Sequence, residues 1–123
     1  MAEGRLRALR GATSVAGNEA GAIVDATTEL LEELVRVNGV DLEDIVSIVF
    51  TSTTDLDAAF PAEGARRAGL GGIPLLCAAE IDVPGALPRC VRVLMHLYSE
   101  RDYASLQHVY LGEARRLRMD LPG

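Results

Sequence analysis

Apolar and polar positions recur along this chain with two different periods, and each change of period marks an element. Residues 5–15 read as a strand that carries Gly11-Ala12-Thr13 near its end. Gly17-Asn18 then opens a helix, with Asn18 as its N-cap. Ala20, Ile23, Thr27, Leu30, Leu31, Leu34 and Val35 follow at three- and four-residue spacing, with Asp25, Glu29, Glu32, Glu33 and Arg36 between them. That is an amphipathic helix with one apolar stripe. Asn38-Gly39 stops it, as a left-handed C-terminal cap does.

Ile45–Ser52 is a β-branched run and therefore a strand. Thr53-Thr54-Asp55-Leu56 turns the chain. A short helix is expected over 61–68, with Pro61 in its first turn, and Gly69, Gly71 and Gly72 end it. A third strand is expected over 73–79, a turn at Val83-Pro84-Gly85, a fourth strand over 89–98 and a short fifth over 107–111. Residues 112–118 read as a helical turn. The order describes a mixed α/β (α+β) chain with its helices on one face of the sheet. The other face then needs a cover, which a neighbouring subunit would supply.

Composition narrows the class. At 123 residues the expectation is a single domain, 1–123. Apolar residues make up 49 % and aromatics only 4 %, so the core is built from Leu, Val, Ile and Ala. A formal net charge of −6 argues against nucleic-acid binding, which needs a basic face. No stretch approaches the roughly 20 apolar residues of a membrane span. The N-terminus lacks the layout of a signal peptide, and Cys77 and Cys90 make neither a disulfide framework nor a zinc site. Together these favour the cytoplasm.

Arg92 is the most informative residue. It interrupts Cys90-Val91-Arg92-Val93-Leu94-Met95, an otherwise apolar strand. Alternation puts Val91, Val93, Met95 and Leu97 on one face and Cys90, Arg92, Leu94 and His96 on the other. A charge among apolar neighbours is costly unless it is paired. Two readings stay open: a ligand anion or carboxylate completes the pair, or the strand lies at an edge and Arg92 reaches water. Arg10 is a similar case, sharing a face with Leu6, Ala8 and Ala12. Glu80 is either a polar strand end, or a carboxylate that pairs with Arg92 or accepts from a substrate hydroxyl. Cys77 falls on the opposite face from Glu80 unless a bulge intervenes. No catalytic triad, metal-ligand spacing or phosphate loop is present. Arginines with one carboxylate suit electrostatic binding and positioning.

Eight ordered segments carry a resemblance: Leu9-Arg10-Gly11-Ala12-Thr13, Thr54-Asp55-Leu56, Phe60-Pro61-Ala62, Ala65-Arg66, Pro74-Leu75-Leu76-Cys77, Val91-Arg92-Val93, His108-Val109-Tyr110-Leu111 and Ala114-Arg115-Arg116-Leu117-Arg118. In order and spacing the chain resembles the monofunctional, trimeric chorismate mutases. The resemblance implies a ferredoxin-like chain, three copies of which form a pseudo-α/β-barrel with active sites between subunits. It implies the rearrangement of chorismate to prephenate in aromatic amino-acid biosynthesis, with no cofactor and no metal. By position, Arg92, Arg10, Glu80 and Tyr110 would be catalytic. Phe60, Ala62, Leu75, Leu76, Cys77 and Leu117 would wall the pocket, with Arg66 and Arg118 at its entrance. The family pattern often carries a Lys where this chain has Glu63. The alternative is a non-catalytic trimeric module that binds a small anionic metabolite in the same cleft.

Overall fold

The computed structural model describes residues 4–117. Its elements run β1 (Arg5–Ser14), α1 (Ala20–Asn38), β2 (Ile45–Ser52), α2 (Ala62–Arg67), β3 (Leu75–Ala79), β4 (Cys90–Ser99) and β5 (Val109–Leu111). Single 3₁₀ turns cover Leu42–Asp44 and Gly112–Arg116. The five strands form one sheet in the order β3-β2-β4-β1-β5. β4 runs antiparallel to both β1 and β2, while β5 is parallel to β1 and β3 parallel to β2. Helix α1 thus joins two strands that have β4 inserted between them, the split β-α-β unit of ferredoxin-like chains.

Both helices cover the same face. Leu9 of β1, Leu30, Leu31 and Leu34 of α1, Phe50 of β2, Ala65 of α2 and Met95 of β4 meet in one buried cluster. Gly11 makes room for this: a side chain there would meet Leu30, Leu34 and Val93 at 3.0–3.1 Å. Gly64 plays the same part between the helices, where an added Cβ would lie 2.8 Å from Thr27 Cβ and 2.9 Å from the Thr28 nitrogen. In an open helix, Gly→Ala stabilises. Here the overlap is with another helix's backbone, so Gly64→Ala is expected to destabilise the fold by about 1–3 kcal/mol in urea or thermal unfolding.

Five local expectations change. Asn18 is not the N-cap of α1; Glu19 stands there without a side-chain cap bond. Asn18 Oδ1 instead accepts from the Asp57 and Ala58 N–H groups at 3.0 and 3.1 Å, and its amide donates to Asp57 Oδ1 at 2.7 Å. The start of α1 is exposed, so its first N–H groups are open to solvent while the loop before α2 claims Asn18. Ala20 is exposed for the same reason. β3 starts at Leu75 because Pro74 has no N–H to give; its carbonyl accepts from Ile48. β4 starts at Cys90 because Arg89 is left-handed, with φ 46°. β5 starts at Val109 because a side chain closes the rung before it: His108 Nδ1, in place of a carbonyl, accepts from the Arg10 N–H at 2.9 Å. The Gly39 cap of α1 is present at φ 59°.

The second face of the sheet is bare. Leu6, Leu76, Leu94 and Tyr98 stand on it at 53 %, 62 %, 36 % and 47 % exposure.

Candidate active site

One rung of the ladder crosses the bare face. Arg92 of β4 pairs with Thr51 of β2 on one side and with Ala12 of β1 on the other. Ala12 pairs in turn with Tyr110 of β5, and Thr51 with Ala78 of β3. Paired residues share a face, so Thr51, Arg92, Ala12 and Tyr110 all point away from the helices. Glu80 joins them two residues beyond Ala78, its N–H bonded to the Ser52 carbonyl at 2.9 Å. Arg10 lies on the same face two residues before Ala12, opposite Leu94. Its diagonal relation to Arg92 corresponds to roughly 7–8 Å between backbones.

β4 is the middle strand of five, so the reading of Arg92 as an edge arginine does not hold. Its counter-charge is Glu80, with Arg92 Nε 3.4 Å from Glu80 Oε2. Nε is buried and finds no hydrogen-bond partner among the described residues. The Thr51 hydroxyl donates to the same Glu80 oxygen at 2.7 Å. Two arginines, Arg10 and Arg92, share this face with Glu80, which pairs with Arg92, and the patch is cationic within an acidic protein. Such a patch suits a small polyanion.

The flank of the rung is packed. Ala12, Cys90 and Ala114 are buried together, with Leu87, Tyr110 and Leu117 against them. Burial pushes the Cys90 thiol above its ordinary pKa, against the pull of the Arg92 charge, so it stays a neutral packing group. Burial and then the Arg10 charge push His108 below its ordinary value. The ring is therefore neutral at pH 7, and the bond it accepts at Nδ1 leaves the proton on Nε2. Its place behind β1 makes it a support for the backbone that carries Arg10.

The remaining expected site residues fall elsewhere. β2 and β3 pair in regular register from Ile48–Leu75 to Ser52–Ala79, without the bulge that would bring Cys77 to Glu80's side. Leu75 and Cys77 therefore turn toward the helices and pack against the main core. Cys77 also lines a cleft of about 610 Å³ with Leu56, Ala59, Phe60 and Pro61, at the ends of β2 and β3. Phe60 is 70 % exposed there. Ala62 is part of the buried core and walls nothing accessible. Arg66 is exposed on α2 and paired with Glu63, the residue that departs from the family pattern. Leu76 stands on the bare face. Arg118 lies outside the described residues.

Thr51 is the residue that sequence reasoning passed over. Alternation in β2 marks it as facing away from Phe50, but nothing local says that it stands between Arg92 and Glu80.

Residues 6–121 match the family model for chorismate mutase type I. Chorismate mutase AroH of Thermus thermophilus is 45 % identical over 117 residues, which cover 94 % of this chain and 96 % of that one. The Bacillus subtilis protein of the same name is 37 % identical over 117 residues, covering 94 % and 92 %. A solved chorismate mutase from Clostridium thermocellum matches with a TM-score of 0.87 and 49 % identity, over 89 % of this chain and 98 % of that one.

Proposed function

The chain belongs to the chorismate mutase type I family, and from that premise we infer that it is an isomerase converting chorismate to prephenate on the cationic rung of its bare sheet face. The observation that carries the reading is the pair Arg10 and Arg92 on one face, with Glu80 beside Arg92.

The chemistry asks for little else. Chorismate has two carboxylates, an ether oxygen and a ring hydroxyl. In the rearrangement the ether C–O bond breaks while a C–C bond forms, and every atom of the substrate remains in the product. Negative charge builds on the ether oxygen in the transition state. Arg92 donates to that oxygen and to a neighbouring carboxylate, from a rigid fork that keeps its charge at any physiological pH. Arg10 and the Tyr110 hydroxyl hold the substrate's carboxylates, and Glu80 accepts from its ring hydroxyl. A pocket that also selects the compact diaxial shape of chorismate lowers the barrier by restricting motion. One well-aimed cation supplies about 3–4 kcal/mol on top of that.

The site is shared between subunits. The Phe60–Cys77 cleft lies at the ends of β2 and β3, and within one chain the Arg92 rung stays open on the bare face. A neighbour's cleft closes it instead, and the same contact covers Leu6, Leu76, Leu94 and Tyr98. A homotrimer with three such sites meets both needs. The unit that associates is the single domain 1–123. No helix among the described residues is long and apolar enough to cross a membrane. With that and the acidic composition, the enzyme works in the cytoplasm on a small-molecule substrate.

Purified protein is expected to consume chorismate and yield prephenate with no added metal or cofactor. Chorismate absorbance decaying only at the uncatalysed rate overturns the reading. Tight binding of another small anion without turnover would leave a binding module in its place.

A further inference from the structure

The Arg92–Glu80 pair is held open. Charge-assisted N–H···O bonds in such pairs settle near 2.7–2.9 Å, often side-on with two contacts. Here the approach is 3.4 Å and single, and Arg92 Nε stays without a hydrogen bond although it is buried. The carboxylate oxygen nearest Nε is occupied from the other side by the Thr51 hydroxyl at 2.7 Å. The Glu80 backbone is anchored to Ser52, so only the rotation of its side chain is left for Thr51 to set.

Resting on the reading of the rung as the mutase site, we propose that Thr51 is a positioning residue for the reaction: its hydroxyl clamps Glu80 Oε2, keeps the carboxylate from closing onto Arg92, and leaves Glu80 Oε1 directed to the substrate's ring hydroxyl. A carboxylate offers about four acceptor sites. Unclamped, Glu80 rotates to meet the guanidinium side-on. The fork that must stabilise the ether oxygen is then partly neutralised before substrate arrives. The substrate hydroxyl loses its acceptor in the same movement.

The position allows a clean test. Valine has nearly threonine's shape and an equal preference for a strand, so Thr51→Val removes the hydroxyl and little else. Thr51→Val is expected to lower kcat about 10-fold, the worth of one hydrogen bond to a charged group, with KM changed by less than about threefold. Thr51→Ser is expected to recover most of the loss. Melting temperature and far-UV circular dichroism of Thr51→Val should match the parent, since a structural role would show there first. The decisive measurement is the cycle with Glu80→Gln. If Thr51 acts through Glu80, Thr51→Val adds less than about twofold in that background. Full additivity, an unchanged kcat in Thr51→Val, or no recovery with serine overturns the proposal. Failure of the parent protein to turn over chorismate overturns the functional reading itself, and is seen in the first arm.

Discussion

Arg92→Ala is expected to lower kcat by about 10²–10³-fold, the usual cost of removing one donor aimed at charge that develops in the transition state. Three features of the rung make the loss this large. Arg92 sits on the middle strand, and the other cation on this face, Arg10 of β1, is offset from it by two residues and is assigned to a substrate carboxylate instead. Its partners across the ladder are Thr51 and Ala12, neither of which carries charge. Its removal also leaves Glu80 facing the dianionic substrate without the guanidinium it pairs with. KM is therefore expected to rise as well, but by less than kcat falls, because the charge on the ether oxygen exists only in the transition state. Arg92→Lys restores charge without the planar fork and should recover only a small part of the rate. Neither change should unfold the protein: the Arg92 side chain is 40 % exposed, and its buried Nε lacks a partner to lose. Steady-state kinetics by chorismate absorbance, with a melting curve for each variant, checks all of this. A near-normal kcat in Arg92→Ala would remove the residue from the central role.

The second large effect is a recovery of activity. Phe60→Asp places a carboxylate in the exposed cleft, where it meets a substrate that already carries two. That variant and Arg92→Ala are each expected to be nearly inactive alone. Co-expressed or refolded together in equal amounts, they form mixed assemblies. A site between neighbours is intact when its rung comes from a Phe60→Asp chain and its cleft from an Arg92→Ala chain. Random mixing in a closed ring gives that arrangement at about one interface in four, so about a quarter of the parent activity returns. A site contained in one chain would regain nothing, because every chain in the mixture carries one of the two defects. The measurement thus tests the shared site and the need for an oligomer in one assay.

Much of this was legible in the order of residues. The alternation of Val91, Val93, Met95 and Leu97 against Arg92 and Leu94, the three- and four-residue stripe from Ile23 to Leu34, and the Asn38-Gly39 stop all follow from backbone stereochemistry. A strand repeats every two residues and a helix every 3.6, whatever surrounds them. These patterns placed the elements, set one face of the sheet against the helices and left Arg10 and Arg92 on the other. The resemblance carried by the ordered segments from Leu9 to Arg118 supplied the family, and with it the fold and the reaction.

Pairing across the sheet was not legible, because a side chain's partner is chosen by contacts far away in the chain. Thr51 meets Glu80 across 29 positions, and the Arg10 backbone meets His108 across 98. Asn18 left a helix cap for a loop 39 residues on. Regular register between β2 and β3 sent Cys77 and Leu75 to the core side while Glu80 joined Arg92. The sequence alone therefore determined the elements, their faces and the reacting class of side chains. Only the tertiary structure decided which charges stand in one rung, how far Arg92 is held from Glu80, and that the Phe60–Cys77 cleft forms at the ends of β2 and β3. Period is a local property of the backbone, whereas register is settled by the whole sheet at once.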